Sequence, residues 1–257
     1  MASGNSPQYF KDLVVALTQK ELKVKYKRSF LGYIWSIANP LALALVFFIA
    51  FKVVMKVQIE NYTLFLISGL FPWQWFANSV NSAPMIFVAN SSLIKKVNFR
   101  TDALVAAVVL NDMLHFVLSI PVIVFFLFFY GLKPSPSWFA GVPVLLVTQF
   151  VMIFGISIAV SAINLFFRDI ERIITILTTL LFYVTPIIYS EEMVPPEYKA
   201  LLLLNPLSVL MVNWRTLFMK GIIDFGAVAL SLVYSLVILA AGYVIFRKLR
   251  WKFAEVL

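Results

Sequence analysis

The stretch KVKYKRSFLGYIWSIANP, residues 23–40, places a cluster of cations directly before a long apolar run. Cations beside an apolar segment hold that end of a membrane span at the cytoplasmic face, and aromatic residues favour the lipid–water interface. The same cations also suit an anionic head group, because ammonium and guanidinium groups form charge-assisted hydrogen bonds with phosphate. We therefore predict an anchor that also forms a substrate entrance, with these candidate residues: Lys23, Lys25, Lys27, Arg28, Tyr33 and Trp35.

The composition is that of a polytopic membrane protein. Of the 257 residues, 62% are hydrophobic and 13% are charged, whereas soluble domains carry about 25% charged residues. The lack of cysteine excludes disulfides, thiol catalysis and thiolate metal sites. A single histidine, His115, makes a His-rich metal site improbable, so we expect no metal. The net charge of +9 suits acidic lipid head groups, and we expect no nucleic-acid partner.

Apolar runs long enough to cross a bilayer follow one another along most of the chain. Residues 1–35 form a separate N-terminal segment, in which an amphipathic helix starts after Ser6-Pro7 and lies in the membrane interface. Residues 36–257 form an all-α membrane domain, because a span takes roughly 20 apolar residues. The six predicted spans are residues 36–57, 62–88, 103–130, 138–166, 170–189 and 225–246.

The distribution of charge predicts that both termini are cytoplasmic. With six spans, 15 of the 21 cations fall on the side of the termini and six on the other, in keeping with the positive-inside rule. A seventh span over residues 200–212 would move the basic residues 247–252 outside and weaken this bias. That segment is broken by Asn205-Pro206 and is too short to cross, so we expect a re-entrant or interfacial piece.

The chain lacks the motifs of the common catalytic sites. It has no GxxxxGK[ST] phosphate loop, no HExxH and no GxSxG, so we expect a transport subunit that does not hydrolyse ATP, rather than an enzyme. Asp112 and His115 lie at i, i+3 in the third span, beside Asn111. A carboxylate at membrane depth indicates either a hydrogen-bonded pair that holds helices together or a proton-relay or catalytic group, and both interpretations stay open.

Polar side chains recur at helical spacing along three of the predicted spans. Such stripes either hydrogen-bond between helices or line a hydrated path. We weigh the two equally for the second span and favour packing for the fourth. The stripes are Gln74, Asn78, Asn81 and Ser82 in the second span, Ser157, Ser161, Asn164 and Arg168 in the fourth, and Thr175, Thr179, Phe182, Pro186 and Tyr189 in the fifth.

Aromatic residues follow Pro72 near the middle of the second span, away from the interface where they usually gather. Flat rings flanked by amides match the apolar faces and hydroxyl rims of sugars. We therefore predict a channel lined by Trp73, Gln74, Trp75, Phe76, Asn78, Asn81, Phe182 and Tyr189.

Two loops are candidates for functional contacts. In the cytoplasmic loop 90–104, an apolar ridge is flanked by cations, which is typical either of an interfacial loop or of a helix that docks into a groove on a soluble partner. The external segment 190–212 forms either an exit gate or a piece of surface packing. The candidate residues are Leu93, Ile94, Lys95, Lys96, Val97 and Arg100 for docking, and Pro195, Pro196, Asn205 and Pro206 for the gate.

Five motifs in this order give the whole chain a family resemblance: KYKRSFLGYIWSIANPL (25–41), YTLFLISGLFPWQWF (62–76), NSSLIKKVNF (90–99), INLFFRDI (163–170) and TPIIYSEEMVPPEYKALLLLNPLSVL (185–210). The chain resembles the transmembrane subunit of type-2 ABC exporters of cell-surface polysaccharide. The similarity is closest to O-antigen permeases of the Wzm type, with capsule and teichoic acid permeases as relatives.

This resemblance implies a homodimer in the bacterial inner membrane, paired with two copies of a cytoplasmic ATPase that binds ATP and magnesium. It also implies a channel at the dimer axis, a coupling helix within 90–104, re-entrant gate helices within 190–212, and a glycan carried on polyprenyl pyrophosphate as the substrate. The alternatives are an exporter of teichoic acid, capsule or a small lipid or drug, an ion-coupled secondary transporter, and a membrane-bound transferase.

Overall fold

The computed structural model describes residues 7–26, 34–97 and 99–256, and in this part of the chain the regular structure is helical. A π-helix, Phe48–Val54, continues α2, and two single 3₁₀ turns, Glu191–Met193 and Pro196–Tyr198, precede α9. The α-helices are α1 (Pro7–Tyr26), α2 (Trp35–Phe47), α3 (Tyr62–Ser82), α4 (Met85–Ala89), α5 (Ser91–Lys96), α6 (Asp102–Phe129), α7 (Trp138–Asn164), α8 (Ile170–Val184), α9 (Lys199–Leu204), α10 (Pro206–Lys220), α11 (Phe225–Arg250) and α12 (Phe253–Val256).

Local sequence accounts for the ends of the last two long helices. Asn205 caps α10 by accepting a hydrogen bond from the Leu207 amide, and proline occupies the next position, where its missing N–H costs nothing. Gly221 ends α10 in the left-handed region, with φ of 65°. Asp224 then caps α11 through the Ala227 amide at 3.0 Å.

Among the described residues, three helices are long and apolar enough to cross a membrane: α6, α7 and α11. α3 has 21 residues, but the amides of its polar stripe lower its hydropathy, and α8 has only 15 residues. The predicted all-helical membrane protein is therefore confirmed, whereas the count of six spans stays a prediction.

The segment before α11 bends sharply. The helical pair Pro196–Leu204 and Pro206–Lys220 meets at 97°, so that the break falls at the predicted Asn205-Pro206. α10 continues to Lys220, eight residues past the predicted end at 212, because Trp214, Leu217 and Phe218 bury its second half. Such a bend is compatible with a broken span as well as with a re-entrant loop.

α3 lies at the centre of the packing and touches α2, α6, α7, α8 and α10. Gln149 of α7 connects three helices, because its amide donates to the Pro72 carbonyl at 2.7 Å and accepts from the Trp214 indole at 2.6 Å. The core thus joins α3, α7 and α10 through a buried amide.

α1 is amphipathic, as the sequence predicts. Val14 and Leu17 are buried against α6, whereas Lys11, Lys20 and Lys23 are exposed. A helix with one apolar face and one charged face suits the membrane interface. α1 therefore packs on the membrane domain through its apolar face and leaves its lysines exposed.

Candidate functional site

The polar stripe of α3 faces outward from the subunit. Asn78, Asn81 and Ser82 are exposed and Gln74 is half-buried, although their neighbours on the helix are core residues. A cavity of about 700 Å³ runs along the stripe from Asn78 to Ser82, and Glu21 of α1 also lines it. Because amides and hydroxyls line this space between helices, it is a candidate for a hydrated path. Its other polar lining residues are Asn90, Asn111 and Asp112.

Asp112 lies where the stripe meets α6. Its carboxylate accepts a hydrogen bond from the Ser79 hydroxyl of α3 at 2.9 Å, and its side chain is 5% exposed. His115 and Gln74 line a further small cavity beside it, of about 30 Å³. Asp112 thus joins α6 to α3 through Ser79, and the choice between a structural pair with His115 and a proton-relay or catalytic role stays a prediction. Within the described chain, the buried Asn111 Oδ1 accepts no hydrogen bond.

The predicted aromatic lining is buried inside the subunit. Trp73, Trp75 and Phe76 are 4%, 2% and 1% exposed. The Trp75 indole donates to the Val109 carbonyl at 3.1 Å and stacks on Phe116. Because the subunit itself already buries these rings, they pack behind the amides of the polar stripe. They could line the predicted channel only after a rearrangement that exposes them.

Phe182 brings the fifth predicted span to this aromatic group. Its ring lies 5.6 Å from Trp73 and stacks 5.5 Å from Phe47, so it joins α8 to α3 and α2. Thr178, one turn earlier, donates to the Asn81 amide oxygen at 2.9 Å. α8 thereby borders the polar stripe. Tyr189, beyond the helix, donates its hydroxyl to the Val184 carbonyl at 2.9 Å.

The polar stripe of the fourth span serves packing, as predicted. The Ser161 hydroxyl lies 2.7 Å from the Ala83 carbonyl, and the Asn164 amide lies 2.9 Å from the Pro84 carbonyl. Both side chains are buried, and they satisfy backbone carbonyls at the break between α3 and α4. Arg168 is exposed beyond the helix.

Arg215 is a buried cation that sequence patterns do not single out, because its charge falls only among the six cations of the external side. Its side chain is 8% exposed, donates to the Ile187 carbonyl at 2.8 Å and lies 3.7 Å above the Phe65 ring. Gly69 leaves room for the guanidinium, since a β-carbon there would lie 2.8 Å from Nη2. The only signal in the sequence is an arginine inside an apolar helix next to a tryptophan.

The predicted gate residues lie around the bend between α9 and α10. Asn205 both caps α10 and donates to the Thr185 hydroxyl at 3.2 Å, which joins the bend to the end of α8. Pro195 precedes the second 3₁₀ turn, Pro196–Tyr198, which begins at Pro196 and leads into α9. Tyr234 of α11 donates to the Leu203 carbonyl at 2.9 Å. The bend is thus held by side chains from two neighbouring helices.

Within the predicted docking segment, the short helix α5 presents its basic side outward. Lys95, Lys96 and Val97 are exposed, whereas Leu93 and Ile94 pack partly against the core. A groove of about 420 Å³ separates this segment from the carboxyl-terminal end of the chain, where Arg250, Trp251 and Phe253 form the opposite wall. We call these two walls together the docking groove.

Arg100, a predicted docking residue, faces α1 instead. Its guanidinium forms a two-point ion pair with Asp102, at 2.6 Å and 3.3 Å, and lies 4.1 Å above the Phe10 ring. The hydrogen bond from Arg100 to Asp102 raises the pKa of the guanidinium. Arg100 therefore holds α1 against the start of α6.

Much of the predicted substrate entrance lies outside the described residues. Lys23 is exposed near the end of α1, and Trp35 is 46% exposed at the start of α2. Lys27, Arg28 and Tyr33 lie outside the described residues, as does the side chain of Lys25. The head-group site therefore stays a prediction.

Comparison with known proteins gives the family. Residues 12–219 match the model of the ABC-2 type transporter. The chain belongs to the ABC-2 transporter family. It is 46% identical to the O-antigen export system permease protein RfbA of Klebsiella pneumoniae, over 97% of this chain and 96% of that protein. It is 33% identical to RfbA of Myxococcus xanthus, over 96% and 95%. The ABC-2 family membership confirms the predicted resemblance.

A more distant relative is named for the transport of polysialic acid. The polysialic acid transport protein KpsM of Escherichia coli is 24% identical over 91% of this chain and 92% of its own length.

Proposed function

We propose that the chain is the permease subunit of an ABC transporter that exports a lipid-linked polysaccharide of the O-antigen type across the inner membrane. The observation that carries this proposal is the 46% identity, over nearly the full length of both chains, to a permease named for O-antigen export. The outward polar stripe of α3 supports it, because a sliding sugar chain needs replaceable contacts with amides and hydroxyls. Capsule polysaccharide is the second candidate, since the chain is also similar to the capsule polysaccharide export inner-membrane protein CtrC of Neisseria meningitidis.

In the proposed assembly, two copies of the chain enclose the channel, and two copies of a separate ATPase bind ATP and magnesium. The polar stripe lies on an exposed face of α3, so a second copy of the chain is needed to close the path around it. α8 supports the same arrangement, because it leaves apolar side chains exposed along a short helix: Ile173, Ile176, Leu177, Leu180, Tyr183 and Val184.

The proposed cycle begins at the cytoplasmic side. The pyrophosphate of the carrier lipid meets Lys23, Lys25, Lys27 and Arg28, and the ATPase acts through the docking groove. The glycan passes the stripe of α3 and leaves beside the bend at Asn205-Pro206, which acts as a re-entrant gate. Six spans with both termini in the cytoplasm complete this topology.

Replacement of a stripe residue tests the path. We expect Asn78→Leu to lower export several-fold, because a leucine side chain offers the passing sugar chain no hydrogen bond. Asn78→Ser keeps the polarity at the same position and should retain export. Cell-surface polysaccharide is measured in a strain without the native permease, and co-purification of the ATPase shows that the variant assembles. Equal export by both variants would exclude this face of α3 as the path.

Charge neutralisation tests the entrance. The triple variant Lys25→Gln, Lys27→Gln, Arg28→Gln should accumulate lipid-linked glycan inside the cell while ATPase assembly and membrane insertion stay intact, because phosphate loses its charge-assisted partners. Unchanged export would contradict head-group recognition there, and a loss of insertion would assign these cations to anchoring alone.

A further inference from the structure

A wide apolar groove lies on the face of the subunit formed by α1, α6, α7 and α11. Its volume of about 880 Å³ falls within the range of roughly 300–1,000 Å³ that is usual for ligand sites. Phe150 and Phe154 of α7 line one side, and Leu236 and Ala240 of α11 line another. Leu236 is 50% exposed, so the groove is open at this side chain. The size and chemistry suit a hydrocarbon chain.

One end of the groove is polar and carries more positive than negative charge. Lys11 is exposed, and Arg100 keeps 34% of its side chain exposed, whereas its partner Asp102 is only 4% exposed. The carboxylate takes up the Nε and Nη2 sides of the guanidinium. Tyr243 adds a phenol hydroxyl, and the exposed Arg247 follows it by one turn on the same face of α11.

The groove and the polar path lie on opposite faces of α6. Asp102, Ala106 and Leu110 line the groove at successive turns, whereas Val108, Asn111 and Asp112 line the cavity along the stripe of α3. At 100° per residue, these two sets point roughly 180° apart. A ligand in the groove is therefore separate from a polymer in the path.

We propose that this groove binds an anionic phospholipid of the cytoplasmic leaflet. An acyl chain lies along the groove, over Phe150 and Phe154 of α7 and Leu236 and Ala240 of α11. The phosphate faces Lys11, Arg100 and the Tyr243 hydroxyl. Basic pockets between membrane helices on the cytoplasmic side are known to bind anionic head groups. The bound lipid connects α1, which precedes the basic entrance segment, to three helices of the membrane domain. This assignment does not depend on which polymer the protein exports.

The test is native mass spectrometry of the full-length chain in a mild detergent, with phosphatidylglycerol or phosphatidylcholine added. We expect phosphatidylglycerol to be retained in preference. Lys11→Gln should weaken its retention about fivefold, since a basic residue near an anionic lipid contributes roughly 1 kcal/mol. Lys248→Gln removes an exposed cation that does not line the groove and should leave retention unchanged.

A second pair of variants tests the chain-binding part of the groove. Ala240→Leu fills the groove and should abolish the retained lipid, whereas Ala241→Leu adds the same side chain at an exposed neighbouring position outside it. Both variants should keep the parent melting temperature without added lipid. Equal retention by the Ala240→Leu and Ala241→Leu variants would overturn the proposal. So would equal binding of the two phospholipids, or displacement of phosphatidylglycerol by polyprenyl phosphate at equal concentration.

Discussion

Arg215 shows how one side chain joins irregular backbone to the core. Charged residues are rarely buried unless they are paired, yet Arg215 is held by a carbonyl and an aromatic face. The carbonyl belongs to Ile187, in the non-helical segment that follows α8. The planar guanidinium can stack and donate at once, which an ammonium group cannot.

Substitution of Arg215 should loosen this segment. Arg215→Met removes the charged donor to Ile187, and we expect a loss of about 1.5–3 kcal/mol, the usual range for a hydrogen bond to a charged group. Thermal unfolding in detergent measures the loss, and limited proteolysis should show faster cleavage within residues 185–198. Lys220→Met changes a cation at the exposed end of the same helix and should have little effect. A melting temperature equal to the parent's would contradict the role.

At this scale, sequence patterns predicted the polar residues that recur at helical spacing. Ser161 and Asn164 share a face of α7, and both bond to carbonyls at the break between α3 and α4, in keeping with the favoured packing role. Arg215 escaped prediction because a single arginine makes no periodic pattern, and its partners, Ile187 and Phe65, meet it only in the folded chain. The burial of Trp73 and Trp75 also escaped prediction, because hydropathy does not show which face of α3 is covered by the other helices.

Two long helices, α7 and α11, pack through glycine. A β-carbon on Gly155 would lie 2.6 Å from the Leu239 backbone, and one on Gly242 would collide with the Gly155 carbonyl. Small residues let membrane helices approach closely, where van der Waals contacts replace the hydrophobic effect. This crossing lies beside the proposed lipid groove, whose lining includes Phe154 and Leu239.

A methyl group at the crossing should therefore be costly. We expect Gly242→Ala to destabilise the protein by about 1–3 kcal/mol, because a rigid backbone must move to admit it. Gly226→Ala on the same helix meets only an Asp224 oxygen at 3.4 Å and should be neutral or slightly stabilising, since alanine favours helix. The difference between the two melting temperatures isolates the crossing, and equal values would exclude close packing there.

The short helix α5 carries a different kind of prediction. Lys96→Ala and Val97→Ala shorten exposed side chains at the docking groove, and together they should weaken ATPase co-purification several-fold without altering the permease's melting temperature. Ser92→Ala, also exposed on α5, lies outside the groove and should leave co-purification unchanged. A loss with the Ser92 variant alone would place docking elsewhere.

Elements were predicted well where hydrophobic period and length were both clear. The helices α6, α7 and α11 begin within one residue of the predicted spans. The predicted span 62–88 divides into α3 and α4, because the turn at Ala83-Pro84 breaks its helix. α10 extends past 212, because Arg215 interrupts the apolar pattern in the sequence but is buried by tertiary contact, as Trp214 is.

The sidedness of the whole molecule rests on charge, and the natural lack of cysteine makes it simple to test. Single cysteines at Ser3 and Lys252 should both be shielded from an impermeant thiol reagent added outside intact cells. A cysteine at Met193, which is 49% exposed in the proposed external segment, should react. Labelling of either terminal position would contradict the proposed orientation.

The six tryptophans divide by environment in a way that yields an optical signal. Trp73, Trp75 and Trp214 are buried and Trp138 is half-buried, whereas Trp35 and Trp251 are 46% and 67% exposed. Trp251 forms part of the docking groove. An aqueous quencher such as iodide should therefore extinguish mainly the emission of these two indoles. Shielding of that quenchable fraction would then report attachment of the ATPase in real time, without any added dye.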